Sequence, residues 1–181
     1  MHVEDRIEII ENLKSGPEAL AEVLAGVSEE TARRSPGTGR WSILECTEHV
    51  ALAEEYLLAQ LRGAKHSEAP MVNIAREEAI LERGVNRKRR IEAPDSAKPR
   101  NRFSTLKQAH DHFLATRSKT IQFVEDCLDD PRSMIADHPI LGTVNNYEML
   151  LMMAVHPHRH AEQIREILSG PAQPPQTTKD K

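Results

Sequence analysis

The sequence predicts an all-α fold, a four-helix bundle with a long irregular connection between its second and third helices. Three observations carry that expectation. Apolar residues recur at helical spacing in four long stretches, no stretch alternates convincingly as a strand would, and aromatics make up only 3% of the 181 residues. A core so poor in aromatics must be assembled from Leu, Ile, Val, Ala and Met, which suits helices better than sheets. One domain over residues 1–170 is expected, followed by a Pro/Gln/Thr/Lys-rich tail, 171–181, whose composition is that of a disordered segment.

The first helix spans residues 3 to about 25, with Val3, Ile7, Ile10, Leu13, Leu20, Val23 and Leu24 in register. Ser15-Gly16-Pro17 interrupts it, and proline's missing N–H predicts a kink or a re-start there. Ser28 to Thr31 reads as a short capped turn, and Ser35-Pro36-Gly37-Thr38-Gly39 as a loop. The second helix opens on Ser42-Ile43-Leu44-Glu45, a capping-box pattern with Trp41 in front of it, and runs to Arg62-Gly63. Residues 64–103 carry Pro70, Pro94 and Pro99, a helical patch near Ile74–Leu81 and many cations. So long an insertion reads either as a solvated excursion or as a lid or binding loop. The third helix begins at Ser104 or Thr105 and ends before Asp129; residues 131–142 read as a loop; the fourth helix runs from near Thr143 to Ser169-Gly170. The middle connection is long enough to span the bundle, so simple up-down-up-down order is not required.

Composition excludes several function classes. A formal net charge of -4 gives no global attraction to nucleic acid, and no aromatics interleave the basic segment. The longest apolar run, Met149–Val155, is too short to cross a bilayer, and the N-terminal residues do not read as a secretory signal. Cys46 and Cys127 are too few and too far apart for a disulfide framework or a zinc knuckle. A cytoplasmic protein with reduced thiols, Cys46 being a core residue, is the expectation.

The chemistry concentrates in the fourth helix. His156 and His160 stand four residues apart, which sets both imidazoles on one helical face beside Met149, Met153, Ile164 and Ile167. His49 lies on or beside the inward stripe of the second helix. Neutral imidazole is a common ligand for divalent first-row metals, and facing helices of a bundle are where such sites are assembled. The competing reading is a set of hydrogen-bonded core histidines. Pro157, between the pair, threatens their common aim. Glu45 is sufficiently explained by the cap. His158 and Arg159 are expected to face solvent or support the site, and His2, His66, His110, His112 and His138 to lie at the surface.

Trp41-Ser42-Ile43-Leu44-Glu45-Cys46-Thr47-Glu48-His49-Val50 resembles the second-helix signature of the DinB-like (DinB/YfiT) superfamily, a tryptophan with a histidine eight residues on. His156-Pro157-His158-Arg159-His160-Ala161-Glu162-Gln163-Ile164 is similar to its fourth-helix signature, H-x-x-x-H followed by a glutamine and an aliphatic residue. The resemblance implies an up-down-down-up bundle, often a homodimer, with His49, His156 and His160 as metal ligands. The implied cofactor is a divalent transition metal, zinc or nickel ahead of manganese or iron. Relatives of this kind include metal-dependent thiol transferases, which join a low-molecular-weight thiol to an electrophile, and a mycothiol-dependent isomerase. Others are described only as metal-dependent hydrolases. The function this implies is S-transfer from a small thiol cosubstrate to a small-molecule electrophile. Hydrolysis by a metal-bound water is the alternative, and a non-enzymatic stress-response or binding dimer the third reading.

Overall fold

The computed structural model describes residues 3–88, 92–138 and 140–170. The predicted tail, 171–181, and His2 lie outside the described residues. The frame is four long helices: α1 (Val3–Leu24), α3 (Ile43–Arg62), α5 (Leu106–Asp126) and α6 (Asn146–Leu168). Shorter helices, α2 (Glu29–Arg33) and α4 (Ile74–Gly84), lie in the connections.

Pairs of contacts give each helix its direction. Arg132 joins Asp5 of α1 to the ring of Tyr147 in α6, while Glu22 and Arg165 pair near the opposite ends of the same helices, so α1 and α6 run parallel. Leu44 of α3 clusters with Leu106 of α5, and Leu61 with Val124, so these two are parallel as well. Asn146, at the start of α6, donates to the carbonyl of Leu61 at the end of α3, which makes α3 and α6 antiparallel. The order is up-down-down-up.

The sequence reading missed a small sheet. Strands β1 (Lys65–His66), β2 (Met134–His138) and β3 (Gly142–Asn145) pair antiparallel in that order, with Ile135 opposite Lys65 on one side and Asn145 on the other. Part of the expected 131–142 loop is therefore β2, and the fourth helix starts at Asn146 rather than near Thr143. Strands this short leave little alternation to detect, and Gly142, at a φ of 71, makes the tight turn between them. Asn145 then caps α6 in a full capping box with Glu148.

Both internal prolines are accommodated by a single residue. Pro17 lies inside a continuous α1 and Pro157 inside a continuous α6, so the predicted re-start near Gly16 does not occur. A proline leaves the carbonyl four residues earlier without its helical partner; here these are Leu13 and Met153. Arg117 of α5 supplies both, donating to Leu13 at 2.8 Å and to Met153 at 2.7 Å. The same guanidinium grips both carboxylate oxygens of buried Glu54 in α3 at 2.8 Å, and Thr120 donates to that carboxylate at 2.7 Å. This polar layer separates two apolar clusters, one around Leu13, Leu57, Leu61, Met149 and Met153, the other around Leu20, Ile43, Val50, Phe113 and Ile164. Gly16 abuts Pro157, where an added Cβ would stand 3.0 Å from the ring.

The long connection is a strap anchored on both sides, not a free excursion. α4 lies along α6 so closely that a Cβ on Gly84 would fall 2.2 Å from a methyl of Val155. Beyond it, Arg87 makes paired hydrogen bonds to Glu166 at 2.9 and 2.8 Å and one to Gln163, and Arg159 donates to the carbonyl of Asn86. The strap then reaches α3 through a 3-10 turn, Asp95–Ala97. Several of its cations are engaged: Lys98 pairs with Glu92 and Asp95, Arg100 donates to the Asp95 carbonyl, and Arg102 pairs with Glu55.

Candidate metal centre

The bundle's antiparallel pair brings the two signatures together. α3 is started by Ser42 and Glu45 in a complete capping box, so Glu45 serves the cap. One turn further on, His49 turns inward, 5% exposed, to meet His160, 6% exposed, and the part-exposed His156 on α6. His156 Nε2 lies 3.1 Å from His49 Nε2 and 3.0 Å from His160 Nε2, and the potential donor atoms of all three lie within 4.8 Å of one another. Pro157 does not spoil the pair, because α6 stays continuous through it. Trp41 walls one side, its ring 4.8 Å from that of His49 and 6.5 Å from that of His160.

The proton inventory shows that these nitrogens fit a cation. His49 Nδ1 is 2.6 Å from the carbonyl oxygen of Ala97. A carbonyl only accepts, so Nδ1 carries the proton and Nε2 of the neutral ring presents a lone pair. His156 Nε2 can hold at most one proton, yet it faces two other Nε2 atoms. If it donates to both, one hydrogen is divided between two acceptors; if it accepts from His160, it meets His49 lone pair to lone pair. No set of tautomers satisfies both contacts fully, whereas a cation drawn to three lone pairs does. Burial lowers the pKa of His49, against the opposing effect of its Ala97 bond. Burial, reinforced by the neighbouring imidazoles, holds His156 and His160 well below the ordinary histidine range. All three are thus kept in the neutral form that binds metal.

Other histidines fall differently from expectation. His138 is buried, its Nδ1 accepting the N–H groups of Ile140 and Leu141 at 3.1 Å, and is not a surface residue. His110 is partly buried with Nε2 unpartnered, and His112 contacts Glu55 at 3.1 Å; His66 is exposed as expected. His158 bonds Ser15 of α1 at 2.9 Å, and Arg159 is buried against the strap, so neither faces open solvent. Cys46 is fully buried and its thiol pushed up to about 12 by desolvation, which leaves it inert as a nucleophile. Sequence reasoning missed Ala97, whose contribution is a backbone carbonyl, and Glu48, Glu54 and Arg117. The available signal was the presence of charged residues on inward-facing turns of α3 and α5, where a charge must find a partner.

A four-helix bundle carrying three convergent neutral histidines on facing helices belongs to the class of helical proteins with a candidate metal centre in the bundle. A family profile described as the DinB superfamily matches residues 12–164, and the chain belongs to that superfamily. Among solved structures, it is similar to TT2238, a four-helix bundle protein, at 19% identity, with 88% of this chain and 98% of that chain covered and a TM-score of 0.58. It is also similar to YfiT from Bacillus subtilis, described as a probable metal-dependent hydrolase with an unusual four-helix bundle topology. That match has 14% identity, 93% and 89% coverage and a TM-score of 0.58. No curated protein matches. No helix among the described residues is long and apolar enough to cross a membrane.

Proposed function

We propose that the chain is a metal-dependent enzyme that activates a small nucleophile at a divalent ion held by His49, His156 and His160. The convergence of three Nε2 atoms, with no set of tautomers that satisfies both contacts fully, carries this reading. When bound, a zinc- or nickel-like ion there supplies Lewis acidity and lowers the pKa of a thiol or water beside it. The protein's own part is to hold the imidazoles neutral, to fix His49 through Ala97, and to shield the ligands with Trp41 and the strap. Arg87, Lys98 and Arg102 of the strap are engaged in ion pairs and act as anchors.

The nucleophile we favour is a low-molecular-weight thiol, delivered to a small electrophile, on the strength of the two helix signatures. A second reading, hydrolysis by activated water, is favoured by the description of YfiT. Untagged protein is to be assayed for bound metal and then for turnover of a generic electrophile with and without a thiol panel. We expect about one equivalent of zinc or nickel in the wild type, and at least a tenfold loss of affinity in His160→Ala and His49→Ala. Wild type that takes up no more metal than the variants after reconstitution overturns the enzyme reading. Turnover without any thiol selects hydrolysis.

A further inference from the structure

Glu48 immediately precedes His49 on α3 and is 1% exposed, a buried carboxylate beside a candidate ligand. Its Oε1 accepts the backbone N–H of Arg100 at 2.6 Å and of Arg102 at 3.1 Å. Asn101, between them, takes a left-handed φ of 57, which turns both N–H groups toward the same point. The 100–102 backbone is thus a small anion cradle, filled by the chain's own carboxylate. Three residues upstream, Ala97, 3% exposed, places its carbonyl on His49 Nδ1 at 2.6 Å. Of the two ligands buried most deeply, His49 has its second ring nitrogen held this way, whereas His160 Nδ1 is buried without a partner. The aim of His49 therefore depends on where the strap lies on α3.

We propose that Glu48 is a positioning residue for the metal centre. It clamps the Arg100–Arg102 backbone, which keeps the Ala97 carbonyl on His49 Nδ1 and the His49 Nε2 lone pair aimed at the ion. The inference rests on the metal reading above, and outer-shell partners of this kind change metal affinity about 10- to 100-fold when removed.

The test compares untagged wild type, Glu48→Ala and Glu48→Gln, using zinc or nickel ions as the probe in competition titrations with a chromophoric chelator. The metal-free proteins are compared by the proton resonance of His49 Nδ1–H. Glu48→Gln retains an acceptor oxygen and should stay within a few-fold of wild type with the resonance in place. Glu48→Ala should bind about 10- to 100-fold more weakly and lose or shift that resonance, with its helical circular dichroism unchanged. If Glu48→Ala does not fold, Glu48→Leu removes the acceptor while keeping the buried side chain's bulk, with the same expectations. Unchanged affinity and an unmoved resonance in Glu48→Ala or Glu48→Leu overturn the inference, as does a Glu48→Gln protein as impaired as the alanine variant. Wild type that binds no ion overturns the metal reading itself, whereas the metal-free resonance tests the clamp independently of it.

Discussion

At the scale of single residues, the ligand candidates were legible and their supports were not. His156 and His160 announce themselves by spacing, and His49 by its place after a tryptophan and a capping box. The atom that orients His49 is a main-chain oxygen 48 positions away, and no side-chain identity encodes it. His138 was misjudged for a related reason: it is buried by a hairpin too short to show in the pattern. Its Nδ1 accepts two backbone N–H groups, and burial, then the nearby Arg76, lowers its pKa from 6.5 to about 4. The unfolded chain therefore binds more protons than the folded one between these values. Stability present above pH 6.5 is lost as pH falls toward 4, on the order of 3 kcal/mol from this residue. Urea denaturation of the metal-free protein at pH 7.5 and 5 should show part of that loss, about 2 kcal/mol from this residue. His138→Asn, which keeps an acceptor near Nδ1, should reduce the slope and leave the part that His49, His156 and His160 contribute; an identical pH slope in the variant would refute the assignment.

At the scale of elements, helical periodicity revealed all four long helices because each buries a continuous apolar stripe. It could not show how the prolines of α1 and α6 are tolerated, since the remedy comes from a third helix. Arg117 is worth more than a surface ion pair because its removal leaves the Glu54 carboxylate and the Leu13 and Met153 carbonyls buried without this partner. Arg117→Met should cost about 3–5 kcal/mol in urea denaturation, and pairing it with Glu54→Leu should recover part of that loss. Strict additivity of the two substitutions would show that the pair is not coupled. The strap, by contrast, reads as irregular sequence because its stability comes from contacts with α3 and α6 rather than from its own pattern.

At the scale of the whole molecule, the candidate centre joins α3 to α6 across 107 residues of sequence, so a bound ion is a cross-link that the unfolded chain lacks. Zinc or nickel at about a hundred times its dissociation constant should add about 2.7 kcal/mol, which for a chain of this size is a rise in Tm of roughly 5–10 °C. Chelator should reverse it, and His49→Ala should abolish it; a metal-induced rise that persists in His49→Ala would place the ion elsewhere. On the proposed reading a bound ion and the bundle stabilise one another, with the Arg117 layer next to the centre. That layer also has an evolutionary reading. Pro17, Pro157 and Arg117 are expected to behave as an epistatic unit, each proline costing more stability in a background without the arginine that meets its freed carbonyl. On that expectation, the mutational paths that cost least stability acquire Arg117 before the prolines and surrender it after them.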